Sequence, residues 1–470
     1  MKSRAIQSGA VHGIWIFAVF LVAAPSVGLQ PTAAAGSDRH VVIVCIDGFA
    51  AYLLNDPKAP VPTLRKLAEE GAFAEGGMRV SNPSVTWPNH TTLVTGVRAD
   101  RHGVLANGSL VRGGVGVPVF VDPKKDKRDL VRVPTVYDAA HQMGLTTAEV
   151  NWPCTRGAAS LDDSFPDVPD QVTHMTPRLR TELIQQGVLA DATDKSFAAH
   201  SGPGRDLIWT NTACHIIRTR KPNFLLVHLL NNDSTHHAEG AQSPAGYTAN
   251  AYADMCLAQI LRAIDDAGIR GKTTVFVVAD HGFTLTPKAL RPNVVLRQNG
   301  LLTVAGGKIA EARVHVVPEG GIGLVYCTDP GAAPADRKRI QELFHRLEGI
   351  ANVLAPDQFA EYGLPHPREY GPAPDLVIVA KDGYGVSGSA EGETLVALGS
   401  EAKVSAGSHG FLSTEKKMNA VCVISGAGIR RGVKLSNVEN TDIAPTAARL
   451  LGLNGFLADH SALNDALIAP

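Results

Sequence analysis

Apolar runs of strand length alternate with amphipathic stretches of helical length through the first two-thirds of the chain. His40 to Ile46 (HVVIVCI) reads as a buried strand ending on Asp47-Gly48. Leu64 to Ala72 has the apolar spacing of a helix, Thr135 to Met143 reads as a helix opened by a threonine cap, and Thr146 to Val150 as a short strand. Asp206 to Arg220 is helical, Phe224 to Leu230 (FLLVHLL) a strand, Tyr247 to Ala267 a long helix, and Thr273 to Ala279 (TTVFVVA) a strand ending on Asp280. Unbroken apolar strands separated by helices predict an α/β fold with a parallel-rich central sheet covered on both faces.

The rhythm breaks after about residue 285. Residues 286 to 404 carry Gly- and Pro-rich joints, one charged helix from Asp336 to Leu347 and the strand run Leu376 to Ala380, a pattern that predicts an inserted smaller subdomain. The chain then returns to the core through Ala420 to Ser425 and a closing helix near Thr441 to Leu451. The expected organisation is a signal peptide over 1–35, the first part of the core over 36–285, the insertion over 286–404 and a return segment over 405–470.

At the N-terminus, Lys2 and Arg4 precede the 11-residue apolar run Ile14 to Ala24, and the small residues Ser26-Val27-Gly28 and Ala33-Ala34-Ala35 follow. This order predicts a cleaved secretory signal, hence a secreted or periplasmic protein. The run is short of the roughly 20 residues that a bilayer core takes. With 44 Lys and Arg against 45 Asp and Glu the net charge is −1, which argues against a broad basic face holding nucleic acid. Six cysteines in a chain of 470 residues form no disulfide scaffold. Cys45 in a strand, and Cys214 and Cys256 in helical patterns, read as buried free thiols.

In open parallel sheets the ligand site lies beyond the carboxyl ends of the strands. There stand Asp47-Gly48, Asp280-His281-Gly282 and, shortly after the third strand, Asp233 with His237; His409-Gly410 opens the return to the core. A single strand-end Asp is commonly a cap or turn former, and a lone His is commonly a satisfied surface or core residue. Three Asp and three His gathered at strand ends point instead to metal ligands. Adjacent Asp280 and His281 can reach one ion, and the spacing of four between Asp233 and His237 suits one helical turn offering a carboxylate and an imidazole. The segment Asn82-Pro83-Ser84-Val85-Thr86-Trp87-Pro88-Asn89-His90 puts Pro88 where a first helical position is expected, so Thr86 would sit at or just before a helix N-terminus, where an anion is favoured. Alone, that segment reads more readily as a simple N-cap at Thr86.

Together, Asp47-Gly48, Thr86-Trp87-Pro88-Asn89-His90, Asn107-Gly108, Asp233 with His237, Asp280-His281-Gly282 and His409-Gly410-Phe411 resemble the nucleotide pyrophosphatase/phosphodiesterase family of the alkaline phosphatase superfamily. The resemblance runs from about residue 40 to 455. It implies an alkaline-phosphatase-like fold and two zinc ions, one held by Asp233, His237 and His409, the other by Asp47, Asp280 and His281, with Thr86 as the bridging nucleophile. It further implies that Asn107 and the Trp87 backbone N–H hold a phosphate oxygen and that hydrolysis of a diester or pyrophosphate passes through a phospho-threonine. Zinc is one way to activate a threonine hydroxyl, and two metals can hold the attacking and leaving oxygens of an in-line displacement.

Several residues depart from the family pattern. Trp87 stands where many relatives carry Phe, which the resemblance reads as an aromatic shelf for a nucleobase or other flat leaving group. Cys154 and Arg156 replace the usual residues after Trp152-Pro153. Arg156 could grip the doubly charged phosphate of a monoester. Asn231-Asn232 replace a frequent Glu-Pro. The alternatives are therefore a phosphomonoesterase or phosphonate hydrolase on the same scaffold and, more remotely, a non-catalytic metal-binding protein. The expected partner is a small phosphate ester, with no stable nucleic-acid complex and no membrane span once the signal is removed.

Overall fold

The computed structural model describes residues 38–398 and 405–468; the expected signal peptide lies outside them. Eight strands build the central sheet: β1 (His40–Ile46), β2 (Ala72–Ala74), β3 (Thr147–Pro153), β4 (Asp163–Asp167), β5 (Phe224–Leu229), β6 (Thr273–Val278), β7 (Cys422–Gly426) and β8 (Val433–Leu435). Their spatial order is β8-β2-β7-β6-β1-β5-β3-β4. Seven neighbouring relations follow from the pairing: β6, β1, β5, β3 and β4 run parallel, as do β2 and β8, and only β7 is reversed, antiparallel to both β6 and β2.

The sequence dictates this layering. Every residue of β1, β5 and β6 is buried, as strands with helices on both faces must be. Helices α1 (Pro62–Glu70), α4 (Gly202–Arg220) and α6 (Pro244–Asp266) pack on one another, while α2 (Thr86–Thr95), α3 (Val136–Gln142) and α7 (Ile443–Leu450) form the other group. The Thr135 cap of α3 is a full capping box with Asp138. Boundaries differ from the sequence reading by a few residues. The stretch read as a helix over Leu64 to Ala72 starts earlier, at Pro62, and Gly71 breaks it so that Ala72 already belongs to β2. Pro88 occupies the third helical position and not the first, because Thr86 itself opens α2 after an extended Val85.

Residues 314–380 contribute a separate four-stranded antiparallel sheet, Val314–Glu319, Ile322–Cys327, Leu376–Ala380 and Ile350–Leu354 in spatial order, with the helix Ala333–Phe344 against it. One hydrophobic cluster runs without a break from the central sheet into this one.

Two features of the topology concentrate chemistry. β6, β1 and β5 are adjacent and parallel at the middle of the sheet, so the residues that follow them emerge side by side, with strands about 4.8 Å apart. Because β7 is the reversed strand, the segment leading into it arrives at that same end of the sheet. There Gly407–Ser408 pairs antiparallel with Thr284–Leu285, which sets His409 beside the residues leaving β6.

Helix α2 is clamped by a buried neutral histidine. The Val104 N–H donates to His102 Nδ1 at 3.1 Å, and His102 Nε2 lies 3.1 Å from Thr92 Oγ1, which itself donates to the Pro88 carbonyl. Burial holds the His102 pKa down at about 3. The unfolded chain takes up this proton below about pH 6.5 and the folded chain only near 3, so stability falls as pH drops through that window. Between pH 7 and 5 the loss from this residue should reach about 2 kcal/mol. Urea denaturation at the two pH values should show that loss, reduced by that amount in His102→Gln.

Candidate active site

Asp47 follows β1, Asp280 follows β6, and Asp233 lies in the first turn of α5 (Asn231–Glu239), which begins two residues after β5. The start of α5 is fixed from outside, since Asp206 of α4 accepts the backbone N–H groups of Leu230 and Asn231. Asp47, Asp280 and His281 are fully buried, and their potential ligand atoms lie within 4.8 Å of one another. Asp233, His281 and His409 form a second such group. His237 joins it from one turn further along α5, with Nε2 3.4 Å from Asp233 Oδ1. The rings of His281 and His409 stack with centroids 3.6 Å apart. All six residues singled out at the strand ends therefore meet in one place.

The hydrogen bonds around them show which atoms are left over. His281 Nδ1 faces the Gly282 carbonyl at 3.1 Å, His409 Nδ1 the Ser84 carbonyl at 3.1 Å, and His237 Nδ1 the Gly407 carbonyl at 3.0 Å. A carbonyl only accepts, so each Nδ1 carries the proton and each Nε2 presents a lone pair. Those lone pairs meet more acceptors: His281 Nε2 is 3.3 Å from Asp47 Oδ1 and 3.2 Å from Asp280 Oδ2, and His409 Nε2 is 3.7 Å from Asp233 Oδ1. Asp47 Oδ1, Asp233 Oδ1, Asp280 Oδ2 and His281 Nε2 are buried without a hydrogen-bond partner. Converging acceptors of this kind fit a cation, and the mixed carboxylate and imidazole set suits zinc.

The electrostatics agree. Burial, then the charge of Asp233, pushes the Asp47 carboxyl well up, and burial, then the charge of Asp47, does the same to Asp280. Burial also raises Asp233. Burial, reinforced at His281 by the proximity of His409 and at His409 by that of His237, holds both well below the ordinary imidazole range, so they are neutral and able to donate lone pairs. A bound dication reverses the penalty on the carboxylates.

Thr86 is the first residue of α2. The loop before it is pinned to the cluster, since the Ser84 carbonyl accepts both from His409 Nδ1 and from the Gly410 N–H at 3.0 Å. Gly410 must be glycine: it has φ +79°, and a Cβ there would come 1.9 Å from the Glu319 carbonyl oxygen. One turn into α2, His90 Nδ1 contacts the Thr86 carbonyl at 2.9 Å and lies 3.6 Å from Asp280 Oδ2. The Trp87 backbone N–H donates to Asn107 Oδ1 at 2.9 Å, which brings the exposed Asn107 to the start of α2. The Trp87 indole N–H donates to Asp167 Oδ2 at 3.1 Å, setting the ring at the edge of a cavity of about 300 Å³ also lined by Asp167, Gln171, Phe197, Arg205 and Trp209.

Arg156 does not join this group through any hydrogen bond. Its Nε donates to Asp126 Oδ1 at 2.7 Å and its Nη2 to the Lys124 carbonyl, so its charge is already compensated. The six cysteines are all free and buried. Sequence reading missed Asp206, His228 and Asn151. His228, the one polar side chain inside the apolar run FLLVHL, was the visible signal.

Fold and cluster define a protein of alkaline-phosphatase-like architecture with a carboxylate and imidazole centre at the carboxyl ends of its central strands. The family model for type I phosphodiesterase/nucleotide pyrophosphatase matches residues 41–412, and the chain belongs to that family. It is 24% identical over 262 residues to rat ectonucleotide pyrophosphatase/phosphodiesterase family member 3, covering 55% of this chain and 26% of that protein. It is 21% identical over 453 residues to human family member 1, covering 94% of this chain and 43% of that protein. The chain thus spans less than half the length of these curated relatives. Among solved structures, murine ectonucleotide pyrophosphatase/phosphodiesterase 5 superposes with a TM-score of 0.66 at 18% identity, over 92% of this chain and 100% of that one. An inactive variant of that murine protein, in complex with AMP, superposes equally well at 17% identity.

The orphaned ligand atoms predict a large response to cations. A divalent cation supplied at about 100 times its dissociation constant should stabilise the fold by about 2.7 kcal/mol, seen as a rise in melting temperature that a chelator reverses. The gain should shrink as pH falls, because protons then compete for Asp47, Asp233 and Asp280.

Proposed function

We propose that the chain is an exported two-zinc phosphodiesterase or nucleotide pyrophosphatase that cleaves R–O–P bonds through a phospho-threonine. The observation that carries the reading is the convergence of unpaired carboxylate oxygens and imidazole lone pairs beside a threonine at a helix N-terminus. Asp47, Asp280 and His281 would hold one zinc and Asp233, His237 and His409 the other. His281 lies near enough to both groups to brace the pair. When bound, the zinc pair supplies the positive charge that favours an ionised hydroxyl and a departing oxyanion.

The chain's own groups supply the rest. Thr86 Oγ1 attacks phosphorus, the bond to the departing oxygen breaks, and water later cleaves the Thr86–phosphate bond and restores the hydroxyl. An arriving phosphate oxygen competes with Asn107 Oδ1 for the Trp87 N–H, and Asn107 Nδ2 is a second donor. The helix N-terminus favours the negative charge gathered there. Trp87, held by Asp167, lines the cavity, and an aromatic lining there suits a nucleobase or another planar leaving group. The ion pair with Asp126 engages the Arg156 guanidinium, which counts against Arg156 holding the second phosphate charge of a monoester. No helix among the described residues is long and apolar enough to cross a membrane; the export in this reading rests on the charge and apolar pattern of residues 1–35 alone.

The test compares hydrolysis of a generic phosphate diester, its matching monoester and a dinucleotide polyphosphate by protein of measured zinc content. Diester or polyphosphate turnover should exceed monoester turnover. Thr86→Ala should keep its zinc and lose kcat by about a thousandfold or more, the scale expected when a covalent nucleophile is removed. Full turnover by Thr86→Ala would exclude the phospho-threonine. A strong monoester preference would give the assignment to the monoesterases and return Arg156 to the substrate.

A further inference from the structure

His228 stands near the carboxyl end of β5, one residue before its last, and is fully buried. Its Nε2 lies 2.9 Å from Asp47 Oδ2. A carboxylate only accepts, so His228 donates there, and Asp47 is left with Oδ1 alone as its free oxygen, the atom 3.3 Å from His281 Nε2. Asp280 is divided in the same way: its Oδ1 accepts the Gly48 N–H at 3.1 Å and its Oδ2 is the unpaired atom.

The other side of His228 is held by Asn151, with Nδ1 2.9 Å from the Asn151 carbonyl oxygen and 3.3 Å from its Nδ2. Asn151 lies where the β3–β4 register slips, at φ +59°, a left-handed conformation that asparagine tolerates better than most residues. Its Oδ1 accepts from Gln171 Nε2 at 3.0 Å, and the same Gln171 Nε2 lies 3.3 Å from Asp167 Oδ1, whose other oxygen holds the Trp87 indole. The contacts form one continuous chain from Asp47 through His228, Asn151, Gln171 and Asp167 to Trp87.

We infer that His228 is a positioning residue that fixes Asp47 as a one-oxygen zinc ligand, and that the hydrogen-bonded chain behind it sets the metal site and the Trp87 shelf in one rigid frame. The inference rests on the two-zinc reading above. Outer partners of metal-ligating carboxylates orient the ligand and are worth about 10- to 100-fold in metal affinity. None of the motif residues supplies this contact.

The experiment compares His228→Gln with His228→Asn, two amides of similar polarity and different reach. The longer Gln places its Nε2 near the position of the imidazole Nε2 and can still donate to Asp47, whereas Asn stops short of it and keeps only the Asn151 side. Zinc affinity is measured by titration against a chelator, site by site and without reference to turnover. His228→Asn should weaken one of the two zinc sites by about 10- to 100-fold, and His228→Gln should stay within about threefold of the parent. Equal behaviour of the two variants, both at parent affinity or both equally weakened, would overturn the proposal. If the parent protein itself binds no zinc, the two-zinc reading fails; two sites in the parent that are indifferent to His228→Asn sink only the positioning role.

Discussion

Mutual repulsion among buried carboxylates is the constraint around which this structure is arranged. Asp47, Asp233 and Asp280 converge with no Lys or Arg among the described residues paired to them, and the imidazoles of His237, His281 and His409 turn lone pairs inward. Ion pairing elsewhere in the protein follows the opposite habit, with Lys127 on Asp138 and Arg156 on Asp126 satisfying one another locally. Leaving several acceptors unpaired in a low-dielectric interior is costly unless a cation occupies the gap between them. The surrounding architecture holds these groups together against that cost.

It does so mostly through backbone. Three carbonyls, those of Ser84, Gly407 and Gly282, orient the three candidate ligands His409, His237 and His281 by taking their Nδ1 protons. Carbonyls embedded in a sheet margin or a pinned loop cannot rotate away, so each Nε2 is aimed by the fold and not by another flexible side chain. The short pairing of Gly407–Ser408 with Thr284–Leu285 is the joint on which this depends, because it carries His409 across from a distant part of the sequence. The same Ser84 carbonyl that orients His409 also restrains the loop entering Thr86, so the proposed ligand and the proposed nucleophile share an anchor.

Much of this was legible in the residues. The strands that end on acids, the i to i+4 pair on α5 and the order of motifs led to the fold and to the six ligand candidates, and each of those meets the others in the structure. Pro88 misled the reading of α2 by two positions, because proline is tolerated throughout the first helical turn and so marks a start only loosely. Arg156 looked available on a linear view, and an acid thirty residues away proved to hold it. His228 gave a signal, a polar side chain amid FLLVHL, yet its partner Asp47 lies just past the end of the neighbouring strand, and no local pattern specifies which strands will be neighbours.

The sequence by itself determined the periodicity that makes a covered parallel sheet, the chemistry placed at its carboxyl ends and the glycines that let the chain turn there. Only the tertiary structure decided which oxygen of each aspartate is free, which histidine nitrogen faces the centre, and that His281 stands between the two ligand groups. Those outcomes depend on strand order and on contacts between residues hundreds of positions apart. Hydrophobic pattern is a local property, whereas a hydrogen bond such as that from His228 to Asp47 exists only once β5 has been laid against β1.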